Sequence, residues 1–517
     1  MVCDSMELGQ EGSDILLKEL CRRRLLPRRL ILASNRGPIE YYFAEDGELR
    51  SRRGSGGVVT ALSSLSRYVE LDWIASAMGR GDREMARRVE GRRFKAPADD
   101  DNLYLRFLVF SRSMYHKYYS IICNPLLWFL QHYMWNSPTT PNIDIITHDA
   151  WENGYVHVNQ TFAKAVIEEA ASSELPPVVI LNDYHLYLTG AYIRRQLPDA
   201  VIQHFTHIPW PSLPYWQLLP SSMRQAIFQS LCAADIVGLQ TMRDVHNFLH
   251  CCESSIAEAE VDYERHTVRT EGRLVRVRAY PISVDVTGLK GLVASTRLKE
   301  YEQKLRPLCG EQTIVRVDRA EPSKNIIRGF KAFDKLLERY PEFRKKVRFV
   351  AFLVPTRSHL RLYQRYIQEV TQLIEDINSK YASEEWYPID FFYENNYVQA
   401  LAGMRLYDVL LVNAVIDGMN LVAKEGPTVN NRDGVLILSE TVGAHDQLGQ
   451  NALTVSPTDI EGTTQALYTA LTMPLSKRKR HAAALKKSIE EEDITDWLLH
   501  LLEDTVNLIE ERSATTT

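Results

Sequence analysis

Asp417-Gly418-Met419-Asn420-Leu421-Val422-Ala423-Lys424-Glu425 follows the apolar run Val409 to Val412 and precedes Pro427. The order is that of a strand, a tight glycine turn and a helix. A helix opening at this turn directs the backbone N–H groups of Met419, Asn420 and Leu421 outward, and such donors attract anions because they lack partners within the helix. Asp417 stands at the mouth of the turn. Glu425, four residues after Leu421, lies on the same helix face one turn deeper. An acid at each end brackets a site for hydroxyls flanking a phosphate, the layout of a nucleotide-sugar site. Read alone, the nine residues fit an N-capping Asp417 and a solvated Glu425 equally well.

The run before this turn is one of a series. Strands are expected at Thr313 to Val317, Val347 to Leu353, Ile389 to Tyr393, Val409 to Val412 and Val435 to Leu438, separated by helical stretches. In the first of those stretches Ile326, Phe330, Phe333 and Leu337 recur at helical spacing. An earlier series places strands at Leu30 to Ser34, Asp72 to Ser76, Leu103 to Val109, Val178 to Asn182, Val201 to Thr206 and Asp235 to Leu239. Strands alternating with helices imply parallel sheets wrapped by helices. The expected fold is α/β, with two Rossmann-like doubly wound domains facing an interdomain cleft at the carboxyl ends of the strands. The expected boundaries are a helical arm over 1–28, a first domain over 29–285, a second over 286–480 and a helical tail over 481–517 that crosses the domain junction.

Composition excludes several classes. An apolar fraction of 45% and a charged fraction of 25% are ordinary for a globular chain, so neither disorder nor a membrane class is indicated. A net charge of -5 gives no positive blanket for nucleic acid, and Lys477-Arg478-Lys479-Arg480 reads as a solvated helix face. Seven cysteines, odd in number, form no Cys-x-x-Cys pair and no zinc pattern. Neither a signal peptide nor a membrane span is evident, and the expected location is the cytoplasm. No cofactor and no metal is expected. Homo-oligomerisation is left open.

Arg319 and Lys324 lie in the loop after the strand ending at Val317, with Ser323 placed to cap a helix that Lys324 begins. Two cations at a helix N-terminus form a diphosphate clamp, worth about 3 to 4 kcal/mol per well-placed donor against charge developing on a leaving group. Two surface cations are the alternative. In the first domain Ser34-Asn35-Arg36-Gly37-Pro38 ends a strand, and Arg53-Gly54-Ser55-Gly56-Gly57 lets backbone amides approach a phosphate. Asp183-Tyr184-His185 and His207-Ile208-Pro209-Trp210-Pro211 end two further strands. Asp183 could equally cap a helix. Tyr119 and Trp128 could line a sugar pocket, although aromatic residues at helical spacing are more often core. No glycosidase carboxylate pair, no Ser/His/Asp triad and no P-loop stands out, so transfer from an activated donor is the expected chemistry.

Taken together these motifs, with Gly238-Leu239-Gln240-Thr241, Tyr280-Pro281-Ile282 and Pro355-Thr356-Arg357, resemble in order those of the trehalose-6-phosphate synthase family. The likeness runs from about Leu30 to about Glu511. Members are retaining glycosyltransferases of the GT-B type. The resemblance implies a nucleotide-glucose donor, UDP-glucose first, and glucose-6-phosphate as acceptor. It implies that Arg36, Tyr119, Trp128, Asp183 and Arg357 hold the acceptor, the two arginines on its phosphate. Gly56, Gly57, His207, Arg319, Lys324, Asp417 and the amides of Gly418, Met419, Asn420, Leu421 and Val422 would hold the donor glucose and diphosphate, and Glu425 the ribose hydroxyls. His207, Arg319, Lys324 and Asp417 are the expected catalytic set. No protein nucleophile is implied.

The chain also departs from the pattern. The usual Arg-Leu-Asp-Tyr-x-Lys-Gly is here Arg319-Ala320-Glu321-Pro322-Ser323-Lys324-Asn325, and Ile416 replaces an Arg common before Asp-Gly. Both changes fall on the donor side and leave the base open among uridine, guanosine and adenosine. A side branch of pseudo-glycosyltransferases joining cyclitols through nitrogen shows similar changes. Retention of Asn35, Arg36, Arg357 and Met419 favours the ordinary synthase.

Overall fold

A computed structural model describes residues 10–25, 27–53, 59, 62–63, 65–97, 102–358 and 360–516. Gly56 and Gly57 lie outside the described residues. The chain forms two units, Met1–Ile282 with Ile494–Thr517, and Ser283–Asp493.

The first unit is built on a ten-stranded sheet. Its strand order is Glu260–Asp262, Thr267–Thr270, Arg273–Ala279, Ile236–Leu239, Val201–Phe205, Val178–Asn182, Leu30–Ser34, Leu71–Ser76, Leu103–Leu108 and Phe94–Lys95. The seven strands from Arg273–Ala279 to Leu103–Leu108 run parallel, and the edges are antiparallel. Parallel strands covered on both faces need unbroken apolar side chains. Val178–Asn182 and Leu71–Ser76 are accordingly buried at every position. From Leu30–Ser34 the chain builds outward to one side and then returns to build the other, so the order reverses between Ser34 and Asn182. That is the topological switch point, where a crevice opens beyond the strand ends.

The second unit holds six parallel strands in the order Ile389–Tyr393, Val347–Val354, Gln312–Arg319, Val409–Val412, Val435–Ser439 and Leu453–Val455. Its switch point falls between Gln312–Arg319 and Val409–Val412. Ile326, Phe330, Phe333 and Leu337, on the helix Ile326–Arg339, are fully buried against this sheet, as their spacing predicts.

Residue 480, read as the end of the second domain, falls inside the helix Leu475–Glu491. Side-chain hydrogen bonds tie that helix to the second unit. Arg478 donates to Asp408 at 3.0 Å and to the Arg432 carbonyl at 2.8 Å, and Lys486 donates to the Asn430 carbonyl at 2.9 Å. Arg478 is thus a structural cation, while Lys477, Lys479 and Arg480 are exposed. The chain re-enters the first unit at Ile494, where Trp497 donates to the Tyr280 carbonyl at 3.1 Å and Thr505 to Gln203 at 3.1 Å. The arm helix Gln10–Leu20 packs on this final helix, Ile494–Thr516. Among the described residues no helix is long and apolar enough to cross a membrane.

Candidate active site

At the switch point of the first unit, Asn35 is buried and cross-braced. Its Oδ1 accepts from Ser76 at 3.1 Å and from Tyr118 at 3.3 Å, and Tyr115 lies 3.3 Å from its amide. Ser34 Oγ, which accepts from the Trp73 indole at 2.8 Å, donates to the Arg36 carbonyl at 2.5 Å. The backbone is therefore rigid where Arg36 leaves it, and the Arg36 side chain is exposed. It makes no hydrogen bond to a described residue.

Tyr119 and Trp128 belong to one π-helical segment, His116–Trp128, of the kind that recurs at functional sites. Tyr119 stacks between Tyr115 (5.4 Å) and His185 (6.0 Å). Trp128 stacks on His132 at 3.9 Å and is only 5% exposed. Tyr184 touches both groups, at 5.7 Å from Trp128 and 4.0 Å from His185. The structure thus brings Tyr119, Trp128 and the Asp183-Tyr184-His185 loop together, with Tyr119 half-buried and Trp128 buried.

Asp183 follows Val178–Asn182 with φ 73° and ψ 172°, a conformation costing about 1–3 kcal/mol that the surroundings must impose. Its side chain does not cap the turn Tyr184–Leu186. It accepts from the backbone N–H of His207 at 3.2 Å, and His185 Nδ1 lies 3.7 Å away. The capping alternative is therefore not what the loop uses.

His207 follows Val201–Phe205. The chain beyond it is anchored by Trp210, which packs on Trp216 at 4.7 Å and Phe248 at 5.0 Å and donates its N–H to Asp244 at 2.9 Å. His207 Nε2 sits 3.1 Å from Asn182 Oδ1. Burial, and then the neighbouring His204, pushes its pKa down to about 3. The imidazole is neutral near pH 7 and offers hydrogen bonds rather than charge.

In the second unit a buried scaffold supports the switch point. Arg316, fully buried, bonds Asp318 at 2.8 Å, the Lys324 carbonyl at 3.0 Å and Asn413 at 3.2 Å. Burial pushes the Asp318 carboxyl up, opposed chiefly by Arg316. Lys324 is almost fully buried, and its ammonium donates to Asp417 Oδ2, which also accepts from Asn420 at 3.1 Å.

The expected cap at Ser323 is not formed. Lys324 ends a short turn, Pro322–Lys324, and the helix starts two residues later at Ile326, after Asn325 in the left-handed region at φ 58°. Asn325 donates to the carbonyls of Asn413 and Pro457 at 2.8 and 2.6 Å, and Ile326 N–H donates to Tyr366 at 2.9 Å. Tyr366 takes the first amide of that helix and the left-handed Asn325 separates Lys324 from it, so Lys324 does not begin the helix.

The opening turn also differs in register from the sequence reading. The helix after Asp417 is Val422–Val429, so Met419 and Asn420 precede it. Asn420 has φ 67°, and Gly443 packs so closely that a Cβ there would meet the Gly418 carbonyl at 1.8 Å. Gly443 N–H donates to the Asp417 carbonyl and Ala444 N–H to that of Met419, at 3.1 and 3.0 Å. A loop distant in sequence therefore shapes the turn. Among the described residues, the amides of Gly418, Met419, Asn420 and Leu421 donate to no partner. Glu425 accepts from Tyr397 at 2.8 Å, and burial raises its pKa.

Arg357 belongs to the second unit, in the loop after Val347–Val354, with φ 43°. Its Nη1 is 2.8 Å from Glu321, whose other oxygen is 3.0 Å from Arg319 Nη2. The sequence reading passed over Glu321 as a ligand-site residue, and likewise Arg316, Asp318, Asn182 and Tyr397. A signal existed for one pair, since Arg316 and Asp318 alternate on one face, with Val315 and Val317 on the other.

The profile of Glycosyltransferase family 20 matches residues 28–507. The chain belongs to glycosyltransferase family 20. It is a glycosyltransferase with the GT-B fold of the trehalose-6-phosphate synthase family. It is 28% identical over 485 residues to alpha,alpha-trehalose-phosphate synthase [UDP-forming] A of Dictyostelium discoideum, covering 92% of this chain and 62% of that protein's length. It is also 28% identical over 471 residues to validamine 7-phosphate valienyltransferase of Streptomyces hygroscopicus subsp. jinggangensis, covering 91% and 92%. The crystal structure of an alpha,alpha-trehalose-phosphate synthase (UDP-forming) from Burkholderia xenovorans in complex with glucose-6-phosphate superposes with a TM-score of 0.77 at 26% identity, over 92% of this chain and all of that one.

Proposed function

We propose that this glycosyltransferase moves glucose, with retention, from a nucleotide-glucose donor, UDP-glucose first, to glucose-6-phosphate, forming alpha,alpha-trehalose-6-phosphate. The observation that carries the reading is the switch point of the second unit, where the amides from Gly418 to Leu421, unpaired among the described residues, adjoin the Lys324–Asp417 ion pair. Such an array receives a diphosphate, with the amides as donors and Lys324 as the counter-charge.

In this reading Arg319 and Lys324 stabilise the charge that grows on the departing nucleoside diphosphate, which is where such donors act most strongly. The diphosphate's own oxygen takes the acceptor hydroxyl's proton on the same face, so the glycosidic C–O bond to the acceptor forms as the C–O bond to phosphate breaks. Asp417 orients Lys324. Neutral His207 donates or accepts a hydrogen bond at the donor glucose, and Glu425, steadied by Tyr397, receives the ribose hydroxyls. Asp183 takes acceptor hydroxyls beside Tyr119 and Trp128, and Arg36 and Arg357 hold the acceptor phosphate. Positioning and charge stabilisation supply the catalysis.

A second reading, carbon–nitrogen coupling of cyclitols, is supported by Ile416 on the donor side and by the valienyltransferase relative. The discriminating experiment incubates the purified protein with UDP-, GDP- or ADP-glucose and glucose-6-phosphate, reading released diphosphate and the anomeric protons of the product. A 1,1-linked alpha,alpha disaccharide phosphate supports the proposal. Diphosphate release only with a cyclitol-phosphate amine acceptor supports the second reading.

A further inference from the structure

Arg319 and Arg357 follow neighbouring parallel strands, Gln312–Arg319 and Val347–Val354. Glu321 lies between them with no exposed surface. One carboxylate oxygen is 3.0 Å from Arg319 Nη2 and the other 2.8 Å from Arg357 Nη1. Arg357 Nη1 also donates to the buried Tyr363 hydroxyl at 3.2 Å, and the guanidinium lies 5.6 Å over that ring. The Glu321 backbone is committed too. Its N–H donates to the Arg319 carbonyl at 2.8 Å, and its carbonyl accepts from Lys324 N–H at 3.1 Å.

Burying a carboxylate is costly even when it is paired, and an apolar residue of the same volume often stabilises a fold as well or better. Stability alone therefore does not account for this group. Two guanidiniums near enough to share one acid repel each other, and the acid offsets that repulsion. The carboxylate accepts a hydrogen bond from Arg357 and stands in ion-pair range of Arg319, so one group bears on both.

We infer that Glu321 is a positioning residue that presents Arg319 to the donor's diphosphate and Arg357 to the acceptor's phosphate, one buried acid orienting both anion-binding groups. The inference rests on the function proposed above. It predicts that the two anion sites lose affinity together when the acid is removed, although deleting a negative charge should by Coulomb's law favour anions.

The test compares wild type, Glu321→Gln and Glu321→Asp. UDP, GDP, ADP and glucose-6-phosphate are each titrated calorimetrically, and kcat/KM is measured with glucose-6-phosphate and with glucose. The expected result for Glu321→Gln is a loss of about tenfold or more in affinity for both the preferred nucleoside diphosphate and glucose-6-phosphate, the scale of a lost charge-assisted contact. The preference for glucose-6-phosphate over glucose shrinks with it. Glu321→Asp, which keeps the charge on a shorter arm, recovers part of each loss. Unchanged or tighter binding of both ligands overturns the inference, as does a loss confined to one ligand. Equal slowing of both acceptors with affinities intact also overturns it, because that is what a merely structural residue produces. If the Gln variant does not fold, unchanged affinities in the Asp variant are the refuting result. A wild type that binds neither a nucleoside diphosphate nor glucose-6-phosphate refutes the functional reading itself, and the inference with it.

Discussion

The ammonium of Lys324 donates to the carboxylate of Asp417, closing an ion pair between loops that follow two adjacent parallel strands, Gln312–Arg319 and Val409–Val412. Both side chains are mostly buried, at 10% and 14% exposure, so the pair is poorly screened. Removing either partner breaks this ion pair for the other.

Lys324→Ala is expected to lower turnover at least ~100-fold, by removing a cation from the leaving diphosphate. It should also cost ~3 kcal/mol of stability, because the mostly buried Asp417 loses its ion pair with the ammonium. Turnover and urea unfolding of Lys324→Ala, Asp417→Ala and the double variant check both parts. The stability losses should sum to more than the loss in the double variant, while turnover stays low in all three. Additive stability losses would mean that the pair is not energetically coupled.

His204 and His207 give a pH prediction. Burial pushes both rings down to about 3, whereas an unfolded chain's histidine takes its proton near 6.5. Between those values the unfolded state binds more protons, so their contribution to stability is present above about pH 6.5 and is lost as pH falls toward 3. NMR of the imidazole C–H protons, assigned through single His→Gln variants, should show neither ring titrating between pH 5 and 8. A midpoint near 6.5 for His207 would contradict its neutral role.

Tyr397→Phe tests the ribose end. Loss of one neutral hydrogen bond to Glu425 should weaken nucleotide-glucose binding by roughly threefold to tenfold. The Tyr397 hydroxyl opposes the upward push that burial gives the Glu425 carboxyl. Donor affinity should therefore decline at a higher pH in the variant than in wild type as pH is lowered. Superimposable pH profiles would show that Tyr397 does not act through Glu425.

The strands were legible because most are buried on both faces and so read as unbroken apolar runs, as at Val178–Asn182 and Val409–Val412. Edge elements such as Leu49–Arg53, with three arginines, and Glu260–Asp262 carry polar, exposed residues and leave no such trace. The places of Arg36, Asp183, His207 and Arg319 at or just beyond strand ends were likewise legible from the apolar runs before them. The start of the helix at Val422 was not, because the left-handed Asn420 and the approach of Gly443 depend on a loop about twenty residues downstream. No local pattern joins Lys324 to Asp417 or Glu321 to Arg357. Only the sheet order brings those residues together.

Arg316→Met should destabilise the second unit by ~3–5 kcal/mol, since it strands a buried Asp318 and frees the Lys324 carbonyl. Pairing it with Asp318→Leu should recover much of that loss in urea unfolding, without restoring turnover. Recovery of turnover in the double variant would show that the buried pair does not position Lys324.

The most direct measurement is the ratio of kcat/KM for glucose-6-phosphate to that for glucose, in wild type and in Arg357→Ala, with the nucleotide-glucose the enzyme uses. In the proposed reading Arg36 and Arg357 make charge-assisted bonds to the phosphate that glucose cannot make, so the wild-type ratio should be roughly 100 or more. Arg357→Ala should narrow that ratio, whereas Arg319→Ala should slow both acceptors alike. A wild-type enzyme that uses glucose as well as glucose-6-phosphate, or a ratio unchanged in Arg357→Ala, would contradict the synthase reading at its acceptor site.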